Sequence, residues 1–398
     1  MKYWRGYLVA AIFAAMTWAL NRLGSSLSGL VDMVYPYMTR TIESMLAQWS
    51  GTVDVCLWQV GAIVLAVLAL ASVVLMIVLR WNPIQWLGWI LAVCSFGFCF
   101  HTLIYGLNQY AGPLAEDIRL EEREYTLEDM ERATVYFRDQ ANTLAQKMPR
   151  DKDGQPEFAD FETLAQQAGA GFHALTYDKY LSVFGGSTLP VKKLAWGDMY
   201  TSMGITGITM AVTGESAVNP NIPAVSLPFT MCHEMSHRMS IANERDANLA
   251  AFLASRENPD EQFQYSAYFM AYLYCRSALS AVGTTEASQV SARVRAEENA
   301  LLKADIQSYN DYFQSRKNEK AEKAATTANN AYLKASGDSQ GTLSYGQVSG
   351  LLVDWYLQEI WEPTQVQEPE NRFNPLEVDP YAPLTTEPGA TDAAEDAA

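Results

Sequence analysis

Two long apolar runs restrict this chain more than any other feature in it. Leu57 to Leu79 is interrupted only by the polar residues Gln59 and Ser72 and is stopped by Arg80. Lipid offers backbone amides no partner, so such a run is stable there only as a self-bonded helix, and it is long enough to cross a bilayer. A second run, Trp86 to Leu107, follows the short break Arg80-Trp-Asn-Pro-Ile, with Trp81, Trp86 and Trp89 suited to an interface belt. Its polar exception is His101, read either as a group facing headgroups or a neighbour near a helix end, or as a functional one. A shorter segment, about residues 4–22, is flanked by Lys2, Arg5 and Arg22. It is either a first span or a signal sequence, although no small-x-small cleavage site follows its apolar core. The parity of crossings puts the rest of the chain outside the cytoplasm in both cases.

Charge divides the chain at the same place. The net charge is −17, yet residues 1–107 hold five Lys or Arg against three acids, so the remainder carries −19. A domain that acidic repels phosphate backbones, which excludes nucleic acid as a partner. Of the five cysteines, Cys56, Cys94 and Cys99 lie in apolar runs and only Cys232 and Cys275 lie beyond them, so no disulfide framework is expected.

Within the acidic part, His233, Glu234 and His237 stand in the spacing H-E-x-x-H. Positions i and i+4 of a helix share a face, so both imidazoles can reach one Zn²⁺ while Glu234 reaches the water it activates. Zinc lowers the pKa of that water towards neutrality, and the carboxylate can pass its proton to a leaving amine, the chemistry of peptide hydrolysis. The chain has only four histidines, and two of them fall in this pattern, which argues against coincidence. A metzincin needs Gly and His where Ser240 and Asn243 stand, so the third ligand comes from elsewhere. Arg238 to Asn243 is long enough for a turn, and Glu244 to Ala254 then reads as helix, rich in Ala and Leu. Glu244, Ala247, Asn248 and Ala251 form one stripe that would pack close to the His helix. Asp246 and Glu257 sit about 200° and about 220° around from Glu244. Glu244 is therefore the expected third ligand, against the alternative of an exposed first-turn acid favoured by the helix dipole. Asn248, one turn on, is placed to orient a ligand His.

The run Glu244-x-x-Ala247-Asn248 after His233-Glu234-x-x-His237 resembles the Glu-zincin membrane peptidases, whose third ligand begins an E-x-x-A-D run. Gly204-Ile-Thr-Gly207-Ile-Thr-Met, Thr213-Gly-Glu215, Tyr265-Ser266 and Ser344-Tyr345-Gly346 make the chain more similar still to a bacterial membrane family, domain of unknown function 3810, described as zinc metallopeptidases. Asn248 departs from the Asp of the better-studied relatives, which bears on the group behind the metal rather than on the metal. The resemblance implies an N-terminal membrane region, a Zn²⁺ cofactor and a peptide or protein substrate, and it specifies no particular substrate.

The rest of the chain reads mainly as helix. Val31 to Trp49 is amphipathic, lying at the outer surface or packing on the soluble domain. Asp117 to Met148 and Phe158 to Leu181 read as helical scaffold. Ile205 to Val212 is the one clear strand, before a loop from Gly214 to Ala224, and an edge strand there can hold an extended peptide, with Gly204 and Gly207 permitting close approach. Tyr265, Tyr268 and Tyr272 form a helical stripe that suits a core, although Tyr265 is also a candidate oxyanion donor, ahead of His173. Glu286 to Ser336 reads as two helices or a hairpin, and Tyr345 to Trp361 as a closing amphipathic helix. Residues 362–398 hold six prolines, nine acids and one basic residue, a composition expected to be disordered.

The expected architecture is mainly α with a small β element, a zincin-like α+β fold behind transmembrane helices. Residues 1–110 form the membrane region, 111–361 an extracytoplasmic metallopeptidase domain, and 362–398 a tail. The expected function is a multi-pass zinc metallopeptidase of the cell membrane, with the lipid bilayer and a peptide or protein substrate as partners. The alternatives are a sensor or binding module that keeps the zinc without proteolysis, and a scaffold in envelope assembly without metal. Glu234, which a purely structural zinc site does not need, favours the enzyme.

Overall fold

In a computed structural model of the chain, residues 4–177, 181–336 and 347–366 are described. Three of its helices, α1 (Arg5–Ser26), α3 (Leu57–Val78) and α4 (Pro83–Ile104), are long and apolar enough to cross a membrane. Helix α4 starts earlier than its apolar run because the Asn82 side chain accepts from the Ile84 and Gln85 amides and Pro83 opens the first turn. Helices α1 and α4 pack along each other, and a Cβ on Gly6 would lie 2.5 Å from the Gly88 backbone. Glycine at that crossing lets the two backbones touch, the usual basis of helix association in lipid.

Helix α2 (Ser28–Ser50) begins one residue after α1 ends. Val31, Tyr35, Thr39, Glu43 and Ala47, four residues apart, turn into the protein, while Leu30, Met33, Val34 and Tyr37 on the other side are exposed. The two readings of this segment therefore hold together: one face packs on the soluble part and the other is apolar and open. The Tyr35 hydroxyl donates to the Leu103 carbonyl at 2.8 Å, which lays α2 across the end of α4.

The soluble part is helical around one core. Helix α5 (Leu127–Lys147) starts at a capping box formed by Thr126 and Asp129. Next along the chain come strands β1 (Lys192–Lys193), β2 (Gly207–Met210) and β3 (Glu215–Val218), then α6 (Leu227–Arg238), α7 (Glu244–Glu257) and α8 (Glu261–Ala281). Helix α8 packs on α5, α6 and α7, and Phe252 of α7 meets Trp355 edge-on at 4.9 Å between Phe137 and Tyr268. Fully burying an aromatic of this kind contributes about 1.5–3 kcal/mol.

The sheet differs from the single strand expected. Its order is β1-β3-β2, with β3 parallel to β1 and antiparallel to β2 in the register Thr209 opposite Ser216. The expected strand Ile205 to Val212 is reduced to Gly207–Met210, because the chain enters it through Gly204 at φ 73° and leaves it in a turn. Strand β3 falls where a loop was expected, and all four of its residues are buried. Its Glu215 takes the amides of Leu57 and Trp58 at 2.8 and 2.9 Å and the Lys192 ammonium at 2.6 Å. A carboxylate on the first amides of α3 satisfies groups the helix cannot satisfy itself, and it fixes that apolar helix to the sheet.

Three further boundaries are corrected. Residues 286–336 form parts of three helices, α9 (Thr285–Ala296), α10 (Ala300–Arg316) and α11 (Glu319–Ser336), where two were expected. Asn299 opens α10 by accepting from the Leu302 amide, a stop signal that reads as surface polarity in the sequence alone. The closing helix α12 is Val348–Tyr356, and Tyr345 lies outside the described residues. Glu362–Val366 is still helix, held by the ion pair of Glu362 with Arg123, so the expected tail begins too early; residues 367–398 lie outside the described residues.

Glu43 is wholly buried on α2, and neither carboxylate oxygen has a hydrogen-bond partner. Burial pushes its carboxyl up to about 8, against the pull of the Arg238 guanidinium. A raised acid stabilises the fold below its unfolded pKa and loses that contribution as pH rises through the folded value. Thermal unfolding of the detergent-solubilised chain is therefore expected to lose stability from about pH 4.5 to about 8, and Glu43→Gln should flatten that slope. An equal slope in the variant would remove Glu43 as its source.

Candidate metal centre

Two helices and the turn between them assemble the centre. Helix α6 begins at Ser226 with Pro228 in its first turn, and its other faces are filled by Met231, Cys232 and Met235. It ends at Arg238, and two residues on Ser240, a non-glycine residue at φ 71°, donates its amide to the His237 carbonyl at 2.9 Å. Asn243 then caps α7 by accepting from the Arg245 amide at 2.9 Å, which makes Glu244 the first residue of that helix. A five-residue reversal, Met239 to Asn243, thus carries Glu244 back to the His face.

His233 Nε2 and His237 Nε2 are 3.2 Å apart, and Glu244 Oε2 lies 3.3 and 3.5 Å from them. These three residues are a group able to hold a metal ion, with ligand atoms all within 4.8 Å of one another. His237 Nδ1 donates to the Ile241 carbonyl at 2.8 Å, which fixes the tautomer and leaves the Nε2 lone pair facing the cluster. Glu244 Oε2 and His233 Nδ1 are buried without a hydrogen-bond partner. Two imidazoles and a carboxylate aimed at one point, with a buried acceptor unsatisfied, fit a divalent cation that takes nitrogen and oxygen donors.

The electrostatics point the same way. Burial alone would depress the His237 imidazole, yet the Glu244 carboxylate outweighs it and raises the ring to about 9. Burial would raise Glu244, and the two imidazoles instead hold it far below the usual carboxylate range. A net positive charge is favoured at the point where the three groups meet.

Glu234 is buried beside the cluster but is not one of its donors. Its Oε2 accepts from the Thr209 hydroxyl at 2.8 Å, and its backbone carbonyl accepts from Ser216 at 2.8 Å. The Thr209 hydroxyl also lies 2.8 Å from that carbonyl, so Thr209 and Ser216 together hold the Glu234 residue from its backbone to its carboxylate. A Cβ on Gly207 would stand 2.3 Å from Glu234 Oε1, so glycine is required there for the carboxylate to lie against β2. Burial raises the Glu234 carboxyl despite the nearby imidazoles. Cluster and carboxylate line one cavity of about 510 Å³, walled by residues 203–209 on one side and by Ala325, Thr326, Asn329 and Tyr332 of α11 on the other.

Other expected site residues lie elsewhere. Asn248 donates to the Glu244 carbonyl at 2.9 Å and accepts from Tyr274 at 3.2 Å, so it contacts the ligand's backbone and neither histidine. Tyr265 is wholly buried with its hydroxyl on Asp305, which Arg150 also binds, and it does not line the cavity; it is a core residue, not an oxyanion donor. Tyr268 and Tyr272 bond Arg256 and Glu298 in the same core. His173 bonds Thr188, and Asp246 accepts from the Leu114 amide on another face of α7. Two tyrosines that the sequence did not single out do line the cavity. Tyr105, the cap of α4, donates to the His237 carbonyl at 3.0 Å, and Tyr332 is hydrogen bonded to His101 at 2.9 Å.

A family model described as Protein of unknown function (DUF3810) matches residues 31–353, and the chain belongs to that family. No curated protein and no solved structure matches the chain.

The geometry separates the carboxylates of α7. Titrating the purified chain with Co²⁺ and following its visible absorption, Glu244→Ala should weaken binding by at least about tenfold, as loss of one of three donors implies. Asp246→Ala should leave it unchanged. Gly207→Ala should also keep the metal, because the atom displaced is the end of the Glu234 side chain. Loss of the absorption in Asp246→Ala would assign the third donor differently.

Proposed function

We propose that this DUF3810-family protein is a multi-pass membrane metallopeptidase that holds zinc on His233, His237 and Glu244. The observation that carries the reading is the division of labour among buried carboxylates. Glu244 joins the two imidazoles, while Glu234, in the same cavity, is held apart from them by Thr209 and Gly207. A zinc site that only supports structure has four protein donors and no use for a separate carboxylate.

When bound, zinc supplies Lewis-acid activation of water and of a carbonyl. The chain's own groups supply the rest. With Oε2 occupied by Thr209, Glu234 Oε1 is the oxygen left to take a proton from the attacking water and return it to the departing amine. Its raised pKa, a consequence of burial, suits both halves of that transfer. Strand β2 is the edge of the sheet beside Glu234 and offers main-chain groups to an extended peptide.

The soluble part meets the C-terminal ends of α1 and α4 and the N-terminal end of α3, which suits three alternating crossings. With Lys2 and Arg5 at the cytoplasmic end, the cavity faces outward.

The purified chain is expected to hold about one zinc ion and His237→Ala to lose it. Glu234→Gln should keep zinc and folding while lowering peptide release about 10²- to 10⁴-fold, measured by comparing peptides shed by cells carrying either form. Indistinguishable peptide profiles would leave the metal a structural role. A phosphatase fused at Ala398 is expected to be active, and an active cytoplasmic reporter at that position would reverse the orientation.

A further inference from the structure

The metal centre is built directly onto the ends of the membrane helices. Tyr105, which closes α4, donates to the carbonyl of His237 at 3.0 Å, and Gln109 donates to the carbonyl of Ala242 at 3.1 Å. The turn between the ligand helices rests on α2. Thr39 Oγ1 and Ser240 Oγ are 2.8 Å apart, Asn108 Nδ2 reaches the same threonine at 3.1 Å, and Arg40 Nε donates to the Met239 carbonyl at 3.1 Å. The opposite wall of the cavity is tied down as well. On α11, Tyr332 bonds His101 of α4 at 2.9 Å, and Asn21 of α1 donates to the Ala335 carbonyl at 3.2 Å. No linker separates the cavity from the apolar helices, so its height above them is fixed.

Helix α2 shows where the bilayer surface lies. It joins the end of α1 to the start of α3, crosses the end of α4, and exposes Leu30, Met33, Val34 and Tyr37 away from the protein. An apolar face continuous with three helices of membrane-crossing length and composition suits the lipid boundary, and on that reading α2 lies in the interfacial layer. The Met239–Ala242 turn sits on the other side of this one helix, whose diameter is about 10–12 Å.

We propose that the cavity opens at the bilayer surface and acts on polypeptides anchored in the same membrane, cutting them a few residues from the point where they leave it. This rests on the peptidase reading above. An extended chain advances about 3.3 Å per residue, so about three to four residues span the one helix layer of about 10–12 Å between the lipid and the site, and a slanted path takes a few more. Anchoring also confines substrate and cavity to one surface and so raises the local substrate concentration, which lets main-chain pairing on β2 contribute much of the recognition. The wall on α11, Ala325, Thr326, Asn329 and Tyr332, is made mostly of small side chains.

The test uses the full chain, zinc-loaded, in phosphatidylethanolamine–phosphatidylglycerol proteoliposomes. The probes are a synthetic single-span peptide bearing a mixed-sequence outer segment, the same peptide with a Gly/Ser spacer of about ten residues after the span, and the outer segment alone. Cut positions are mapped by mass spectrometry, with Glu234→Gln as the blank. Glu234-dependent cuts should fall within about eight residues of the span, keep that distance when the spacer is inserted, and exceed cleavage of the free segment at least tenfold. Cuts that follow the sequence and ignore the distance, or equal cleavage of the free segment, would overturn the proposal and leave the peptidase reading standing. No Glu234-dependent cut in any probe would overturn both.

Discussion

Everything in the site depends on one reversal of the chain, from Met239 to Asn243. It must turn α6 into α7 tightly enough for Glu244 to meet two imidazoles on the preceding helix. Ser240 accomplishes this with a left-handed backbone at φ 71°, which costs a residue with a side chain about 1–2 kcal/mol relative to ordinary helical geometry. Glycine would adopt it freely but would lose the buried contact between the Ser240 hydroxyl and Thr39. At 2.8 Å the two hydroxyls form a hydrogen bond that only a polar side chain can make there, and it offsets part of the strain. The same contact joins the metal turn to α2, so the local geometry of the ligands and the placement of the domain on the membrane helices share a cause.

Buried charge marks the other joints between the soluble part and the apolar helices. Glu215 binds the first amides of α3 and is neutralised by Lys192, whose ammonium also bonds the Ser50 and Val55 carbonyls at the end of α2. Arg238, directly after His237, is buried and spends its guanidinium on the carbonyls of Ser187 and Leu189. Ionised groups in such places are costly unless each is fully partnered, so they specify one arrangement more than they add stability. A cavity whose walls come from α4, α6, β2 and α11 needs that kind of specification, because small shifts between these elements would separate Glu234 from the cluster.

Much of this was legible in the sequence, and what was not has a common origin. Helical period was enough to find the apolar helices, the face shared by His233 and His237, and the register that brings Glu244 and not Asp246 to it. Periodicity describes one element at a time. Tyr265 looked placed for the site because it lies near α7 in sequence, whereas its hydroxyl is committed to Asp305, forty residues on. Tyr105 and Tyr332 reach the cavity from a membrane helix and from α11, and no local pattern records such contacts. Strand β3 was missed because all four of its residues are buried and one of them is Glu215, so the alternation that identifies a half-exposed strand is missing. The glycines were informative in a limited way: Gly207 was read as a point of close approach, but that the approaching group is the Glu234 carboxylate is a fact of packing.

The place of Glu234 ties the sheet to the chemistry. On the proposed metallopeptidase reading this carboxylate has to stay off the metal while sharing its cavity, and on α6 it is adjacent to His233 and three residues from His237. Helix geometry alone does not keep it away. What does so is the pair β2 and β3: the Thr209 hydroxyl reaches one carboxylate oxygen, Thr209 and Ser216 both reach the Glu234 backbone carbonyl, and the bare face of Gly207 receives the rest of the carboxylate. Those residues come from two paired strands, opposite each other in the register Thr209 to Ser216. The three-stranded sheet, a small part of a mainly helical protein, therefore has a specific use. It holds the carboxylate in position and presents its free edge to the same cavity, so the strand that would carry a peptide also fixes the distance between that peptide and its base.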